Sequence, residues 1–336
     1  MKIAILSSIA WRTPPRKYGP WEQVSSNIAE GLIERGLEVT LFATGDSLTK
    51  GELASVCERP YAEDDSVDPK VAECLHISHL MEQADNFDII HNNFDFLPLT
   101  YSKLIKTPMI TTIHGFSSPK IIPVYKKYNK TSHYVAISNS DRSPELNYLA
   151  TIYNGINIDE FIFVREPEDY LLFFGRIHQE KGVYESIEIA KKSNRKLIIS
   201  GIIQDQEYFD NMVSPYINGD DIVFVGNSGP AQRLTLLGRA CALLHPVNFE
   251  EPFGLSVVEA MACGTPVIAF KRGSMPEIIL DGKTGFLVNN ITQASEAIEN
   301  IQQINRNDCT EWVASKFSRQ KMVEEYLKVY KQILHI

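Results

Sequence analysis

The chain has 336 residues, 44% of them hydrophobic and 22% charged, with a formal net charge of −9. That length exceeds one typical domain and suits two, each able to bury its own core. The acidic balance argues against a general nucleic-acid binder, which carries a basic excess, and no apolar run approaches the length of a membrane-spanning helix.

Five cysteines, Cys57, Cys74, Cys241, Cys263 and Cys309, are odd in number and widely spaced, with no CxxC or Cys/His cluster. A reduced compartment without a zinc site is therefore expected, and Cys241 and Cys263 read as small core residues. The opening MKIAILSSIA is too short an apolar run, ended by Trp11 and Arg12, for a signal peptide. It reads as a buried first strand of a cytoplasmic protein.

Strand-like runs alternate with helix-like ones almost throughout, which predicts an α/β fold with parallel sheets and crossover helices. In the first half the strands fall at 3–7, 39–43, 88–91, 109–113, 133–137 and 150–153, and the clearest helix spans 22–35 with Gly36 as its stop. The polar stretch 44–68 carries no assignment. Between the first strand and the helix lies Tyr18, Gly19, Pro20, Trp21, Glu22. Gly19 lets backbone amides approach a phosphate, although one Gly beside a Pro is by itself a turn. Trp21 is placed to stack on a sugar ring or to act as a local clamp. His91 and His114 each follow an apolar strand, where histidine is more often a structural hydrogen-bonder than a catalyst. The stretch 123–130, PVYKKYNK, reads as a solvated helix face, with an anionic membrane or acceptor contact as the alternative.

Charges and Pro167 in 159–169, DEFIFVREPED, mark a linker, which divides the chain into domains 1–160 and 161–316. The second half restarts the alternation with strands at 170–174, 196–200, 222–225, 242–245, 266–270 and 285–288. After the first comes 175–182, GRIHQEKG. A lone Arg and Lys flanking a turn are usually solvated, yet Arg176 can hold two phosphate oxygens in a fork and Lys181 can neutralise a third. Gly201 and the turn 226–229 follow later strands and are placed to border a nucleotide base.

Pro246 and Pro252 bracket an irregular loop. Leu255, Val258, Met261 and Ala262 then recur at helical spacing until Gly264 and Pro266 stop the helix. Its first amides, near Phe253, Gly254 and Leu255, lack intrahelical acceptors and carry the positive end of the dipole, so they suit a phosphate. Glu251 and Glu259 frame this start, with seven residues between them. Carboxylates accept hydrogen bonds from hydroxyls, so the pair points to a ligand with sugar hydroxyls around a phosphate; complementing the dipole is the simpler alternative. The last stretch, 317–336, is an amphipathic helix with Met322, Tyr326, Val329, Tyr330 and Leu334 on one face.

Residues 251–267, EPFGLSVVEAMACGTPV, closely resemble the E-x7-E signature of retaining, nucleotide-sugar-dependent glycosyltransferases of family 4, and 175–182 is similar to the G-R-x4-K-G motif of the same family. Most of the chain shares in the resemblance. Residues 153–157 resemble a family turn, while 271–277 and 281–285 resemble segments that read as packing and turns. The resemblance implies a GT-B fold, two Rossmann-like doubly wound parallel-sheet domains facing a central cleft, with 317–336 crossing back to the first. It implies transfer of a hexose from a nucleotide diphosphate sugar of the UDP-glucose or GDP-mannose type to a hydroxyl of a glycan, lipid or small-molecule acceptor. Attack on the same face retains the anomeric configuration, with the leaving phosphate as base.

By the same resemblance Arg176 and Lys181 hold the donor diphosphate, together with Phe253, Gly254, Leu255 and Gly19. Glu251 orients sugar hydroxyls, Glu259 holds the ribose and His114 holds the transferred sugar. Gly19 and Glu22 match a Gly-Gly-x-Glu element from which Pro20 departs. Trp21 and Glu22 mark the acceptor side, and so, more weakly, does His91 in a D-x-x-H element, where Asn93 replaces a common second histidine. With two cations on the diphosphate, no metal or other cofactor is required. A GT-B-like epimerase or phosphorylase and a non-catalytic sugar-binding protein are the alternatives. Peripheral contact with a membrane is left open.

Overall fold

Two units, each built on its own parallel sheet, make up the computed structural model, which describes residues 1–116 and 118–336. The first unit comprises Met1–Gly155 and Arg319–Ile336, the second Ile156–Ser318.

In the first unit seven strands, β1 (Lys2–Leu6), β2 (Glu38–Phe42), β3 (Glu52–Ala54), β4 (Ile89–Asn92), β5 (Met109–Ile113), β6 (His133–Ala136) and β7 (Tyr148–Thr151), lie in the order β3-β2-β1-β4-β5-β6-β7. Every pairing is parallel. The central strands are near-continuous apolar runs because helices cover both faces; Ile3 to Leu6 and Ile89 to Ile90 are fully buried. β3 falls in the polar stretch that carried no assignment, a three-residue edge strand that exposes Glu52 and Leu53. β7 begins two residues before the predicted 150–153, after an irregular register against β6.

The last helix, Arg319–Leu334, packs on the helix Pro20–Ile33. Gly31 permits this: a Cβ there would lie 2.6 Å from Val323 Cγ2. Arg319 fixes the crossing with a two-pronged bond to Glu34 at 2.9 and 3.0 Å. Met322, Val323, Tyr326, Val329 and Tyr330 are buried, whereas Leu334, expected on that face, is half-buried because burial ends at Tyr330, one turn earlier.

In the second unit six strands, β8 (Tyr170–Phe174), β9 (Lys196–Ser200), β10 (Ile222–Phe224), β11 (Ala242–His245), β12 (Val267–Phe270) and β13 (Gly285–Val288), take the order β10-β9-β8-β11-β12-β13. All are parallel. The chain passes from one unit to the other at 155–156 and back at 318–319, where the sequence suggested 160–161 and 316–317. The Ile156 amide donates to the Phe317 carbonyl at 2.9 Å, so the two crossings run side by side. The five cysteines are free, with Cys263 and Cys309 buried, Cys57 and Cys241 half-buried and Cys74 exposed. Among the described residues no helix is long and apolar enough to cross a membrane.

Strand order reverses between β1 and β4 in the first sheet and between β8 and β11 in the second. Open parallel sheets bind ligands beyond the carboxyl ends of the strands at such reversals.

Candidate active site

β8 and β11 pair directly, Leu172 opposite Leu243 and Phe173 opposite Leu244, so the loops leaving their carboxyl ends start as neighbours. These loops are 175–182 and 246–254, the two stretches singled out in the sequence. They interlock at Gly182, whose φ is +75° and where a Cβ would lie 2.0 Å from the Pro246 carbonyl oxygen. Only glycine allows that approach. The Asn248 amide donates to the Glu180 carbonyl at 2.7 Å, and its side chain donates to Glu185 at 2.6 Å.

This lacing sets Lys181 Nζ 2.6 Å from Glu251 Oε2 and 4.6 Å from the centre of the Phe249 ring. An ammonium has three donors and Glu251 takes one, so Lys181 is aimed but not used up. Behind Glu251 stands His245, at the end of β11, buried, with Nε2 3.4 Å from the same carboxylate oxygen. Burial alone would raise the Glu251 pKa, but Lys181 and His245 outweigh it and hold the carboxyl at about 2. The loop is pinned from the other side by Ser274, whose amide donates to the Glu251 carbonyl at 2.9 Å and whose hydroxyl donates to the Phe253 carbonyl at 2.7 Å.

Gly254, with φ +91°, opens the helix Leu255–Ala262; the first amide bonded back is Val257, to the Gly254 carbonyl at 3.0 Å. The amides of Leu255 and Ser256 therefore precede the ladder, as anion-binding amides do. Glu259 lies within this helix, buried, with Arg233 Nη1 3.4 Å away. Burial raises its pKa and Arg233 pulls it back only in part. Arg176 donates to Gln204 on the loop after β9, which is tied to its own loop by the Ile177 amide bonding the Ile202 carbonyl at 2.8 Å. The second unit thus brings Lys181, Glu251 and the helix start together and places Glu259 further along the helix, beside Arg233 rather than beside Lys181.

In the first unit His114, just past β5, lies against Trp21 with ring centres 5.8 Å apart and a 28° tilt. Its Nε2–H donates to Asn93 Oδ1 at 2.9 Å. That bond leaves Nδ1 as an acceptor, and burial lowers the ring's pKa to about 3, so the imidazole is neutral.

Three readings are corrected here. His91 is fully buried, bonded through Nδ1 to Tyr330 at 2.6 Å and through Nε2 to Thr112 at 2.7 Å. It seats the last helix and presents no free nitrogen to an acceptor. Glu22 is also buried and accepts from the Trp11 amide at 3.3 Å, so it clamps the loop after β1 instead of facing an acceptor. Burial raises its pKa to about 7. Gly19, with φ +151°, is enclosed: a Cβ would lie 2.8 Å from Pro15 Cβ and 3.0 Å from Glu22 Oε2. Its neighbour is a carboxyl group, which opposes an anion.

Sequence reasoning missed four residues that shape the site: His245, Phe249, Arg233 and Asn93. Only Asn93 had a signal, as a departure from the D-x-x-H element. Among the described residues no grouping of three or more His, Cys, Asp or Glu side chains is arranged to hold a metal ion.

Two doubly wound parallel sheets in one chain define the GT-B class of fold. The crystal structure of Anabaena HepE in complex with UDP-glucose matches it at a TM-score of 0.74 and 18% identity, over 99% of this chain and all of that one. The family model described as Glycosyl transferases group 1 matches residues 156–332, and the one described as Glycosyltransferase Family 4 matches residues 22–160. The chain belongs to the group 1, family 4 glycosyltransferases. Among curated relatives, glycogen synthase of Mycobacterium tuberculosis is 32% identical over 82% of this chain and 80% of its own length. N-acetyl-alpha-D-glucosaminyl L-malate synthase of Bacillus anthracis is 25% identical over 93% of each.

Proposed function

We propose that this glycosyltransferase moves a hexose from a nucleoside diphosphate sugar to a hydroxyl of a glycan, lipid or small-molecule acceptor, with retention at the anomeric carbon. The observation that carries this reading is the Lys181–Glu251 pair, 2.6 Å apart at the sheet reversal and followed by the Gly254 helix start. A sugar diphosphate needs cations and amides for its phosphates and carboxylates for its hydroxyls, and this loop pair supplies both.

In the reaction the bond from the anomeric carbon to the phosphate oxygen breaks and negative charge develops on the departing diphosphate. Lys181, Arg176 and the amides at 253–255 offset it. The acceptor oxygen attacks on the face the phosphate leaves, and its proton passes to a phosphate oxygen. Glu251 orients sugar hydroxyls, Glu259 holds the ribose and His114 accepts a hydroxyl hydrogen bond from the transferred sugar through Nδ1. Because cationic side chains meet the diphosphate charge, turnover is expected to survive exhaustive chelation of divalent metals.

UDP-glucose is the first donor to test, because HepE, which shares the fold, was solved with it. A panel of UDP- and GDP-hexoses is screened by melting shift, and slow donor hydrolysis is followed by release of free nucleotide. Binding with nucleotide release supports the reading. If no sugar nucleotide binds and none is hydrolysed, it fails. NMR of a transferred product separates retention from inversion.

A further inference from the structure

In a chain of net charge −9, residues 96–140 contain six lysines and not one Asp, Glu or Arg. Lys103, Lys106, Lys120, Lys126, Lys127 and Lys130 are all exposed. The fold gathers the central ones. The turn segment Leu97–Tyr101 packs on the short helix Ile122–Tyr128, and Lys103, just past the turn segment, and Lys127, in the helix, close on the same Tyr128 ring at 5.9 and 5.3 Å.

Nearby acids do little to neutralise this face. Glu145 pairs with Lys126 at 2.5 Å, and the Asp95 carboxyl is taken by the Tyr125 hydroxyl. Between Lys103 and Lys106 stands Leu104, 79% exposed, and Leu97 is 37% exposed beside them.

We propose that this lysine and leucine face docks the first unit on an anionic phospholipid surface. Two observations choose a membrane over a soluble polyanion. The charge is carried by lysine alone, a point charge suited to diffuse attraction, where readers of individual phosphates favour the arginine fork. An exposed leucine set among lysines has no counterpart in a polyanion, whereas a bilayer boundary takes up both groups. The inference rests on charge and exposure and is independent of the donor chemistry.

The test is co-sedimentation of the full chain with vesicles of phosphatidylcholine alone and of phosphatidylcholine mixed with phosphatidylglycerol. Binding is expected to the mixed vesicles only and to weaken with salt. Each lysine neutralised should lower the partition coefficient about fivefold, so Lys103→Glu with Lys127→Glu should release the protein. Leu104→Ser should weaken binding with the salt dependence unchanged. The melting temperature and donor hydrolysis of these surface variants should match the parent, which separates lost docking from lost folding or lost chemistry. Equal binding to both vesicles, no binding to the mixed ones, or a double variant that sediments like the parent overturns the proposal. So does heparin binding that equals vesicle binding and ignores Leu104→Ser.

Discussion

Asn93 accepts the Nε2–H of His114 at 2.9 Å, and that single bond decides which nitrogen of the imidazole is left as an acceptor. With Nε2 protonated, Nδ1 is the acceptor, and a pKa near 3 keeps the ring neutral throughout the working range. Asn93→Asp puts a carboxylate where the amide stood and should raise the His114 pKa by stabilising the imidazolium. NMR of the ring should then show a titration above pH 4 that the parent lacks. Asn93→Ala, which leaves the Nε2–H without its acceptor, should lower turnover about tenfold while donor KM changes little. A parent His114 that titrates near 6.5 would disprove the premise.

Lys181 and Glu251 form a nearly buried ion pair, with side-chain exposures of 15% and 10%. Removing one member strands the other, at a cost of about 3–5 kcal/mol. Lys181→Met should therefore destabilise the protein strongly. Adding Glu251→Gln should restore much of the stability in urea unfolding but none of the activity, which should stay about 10² to 10³ below the parent.

The same pair dictates an acid limb. The Glu251 pKa falls from its ordinary 4.5 to about 2 on folding, so the associated stability is complete above 4.5 and is lost as the pH drops from there toward 2. Glu251→Gln should flatten that part of the stability profile, a change of about 3 kcal/mol. An unchanged profile would show the carboxylate to be solvated.

Glu22 has the opposite sign. Its pKa is about 7 in the folded chain against 4.5 ordinarily, so the unfolded chain loses this proton first and stability declines as the pH rises from 4.5 to 7. Glu22→Gln keeps an oxygen for the Trp11 amide without the buried charge. It should stabilise the protein by about 3 kcal/mol at pH 8, a gain that shrinks as the pH falls and vanishes below about 4.5. Melting at a series of pH values checks it.

Glu259 is proposed to accept hydrogen bonds from ribose hydroxyls. Bonds to a charged group contribute about 1.5–3 kcal/mol, so Glu259→Gln should raise donor KM by roughly 10- to 100-fold with turnover less affected. Equal loss with a donor analogue lacking ribose hydroxyls would assign Glu259 to the Arg233 contact alone.

The loops carrying Lys181 and Glu251 were legible because their punctuation is local: an apolar strand, then Pro or Gly at fixed offsets, then helical spacing from Leu255 onward. The contacts made by these residues and by His114 were not, because the partners are distant in sequence. Asn93 and His114 are 21 residues apart, and Lys181 reaches Glu251 across 70. A histidine at a strand end looks the same whether it faces a ligand, as read for His114, or a tyrosine 239 residues away, as His91 does. β3 escaped notice because a three-residue edge strand, exposed at Glu52 and Leu53, has no apolar period to read.

The helix Arg319–Leu334 follows the whole second unit in chain order, yet it covers Gly31, Glu34 and His91 in the unit that precedes it. Domains otherwise tend to fold in order of synthesis. Here the earlier one waits, with the His91 ring and the groove at Gly31 uncovered, until the second unit and then Arg319–Leu334 have been made. A nascent chain stalled shortly before Arg319 should offer a folded second unit and a protease-sensitive first one, and a stop codon at Arg319 should destabilise the first unit although all seven of its strands are present.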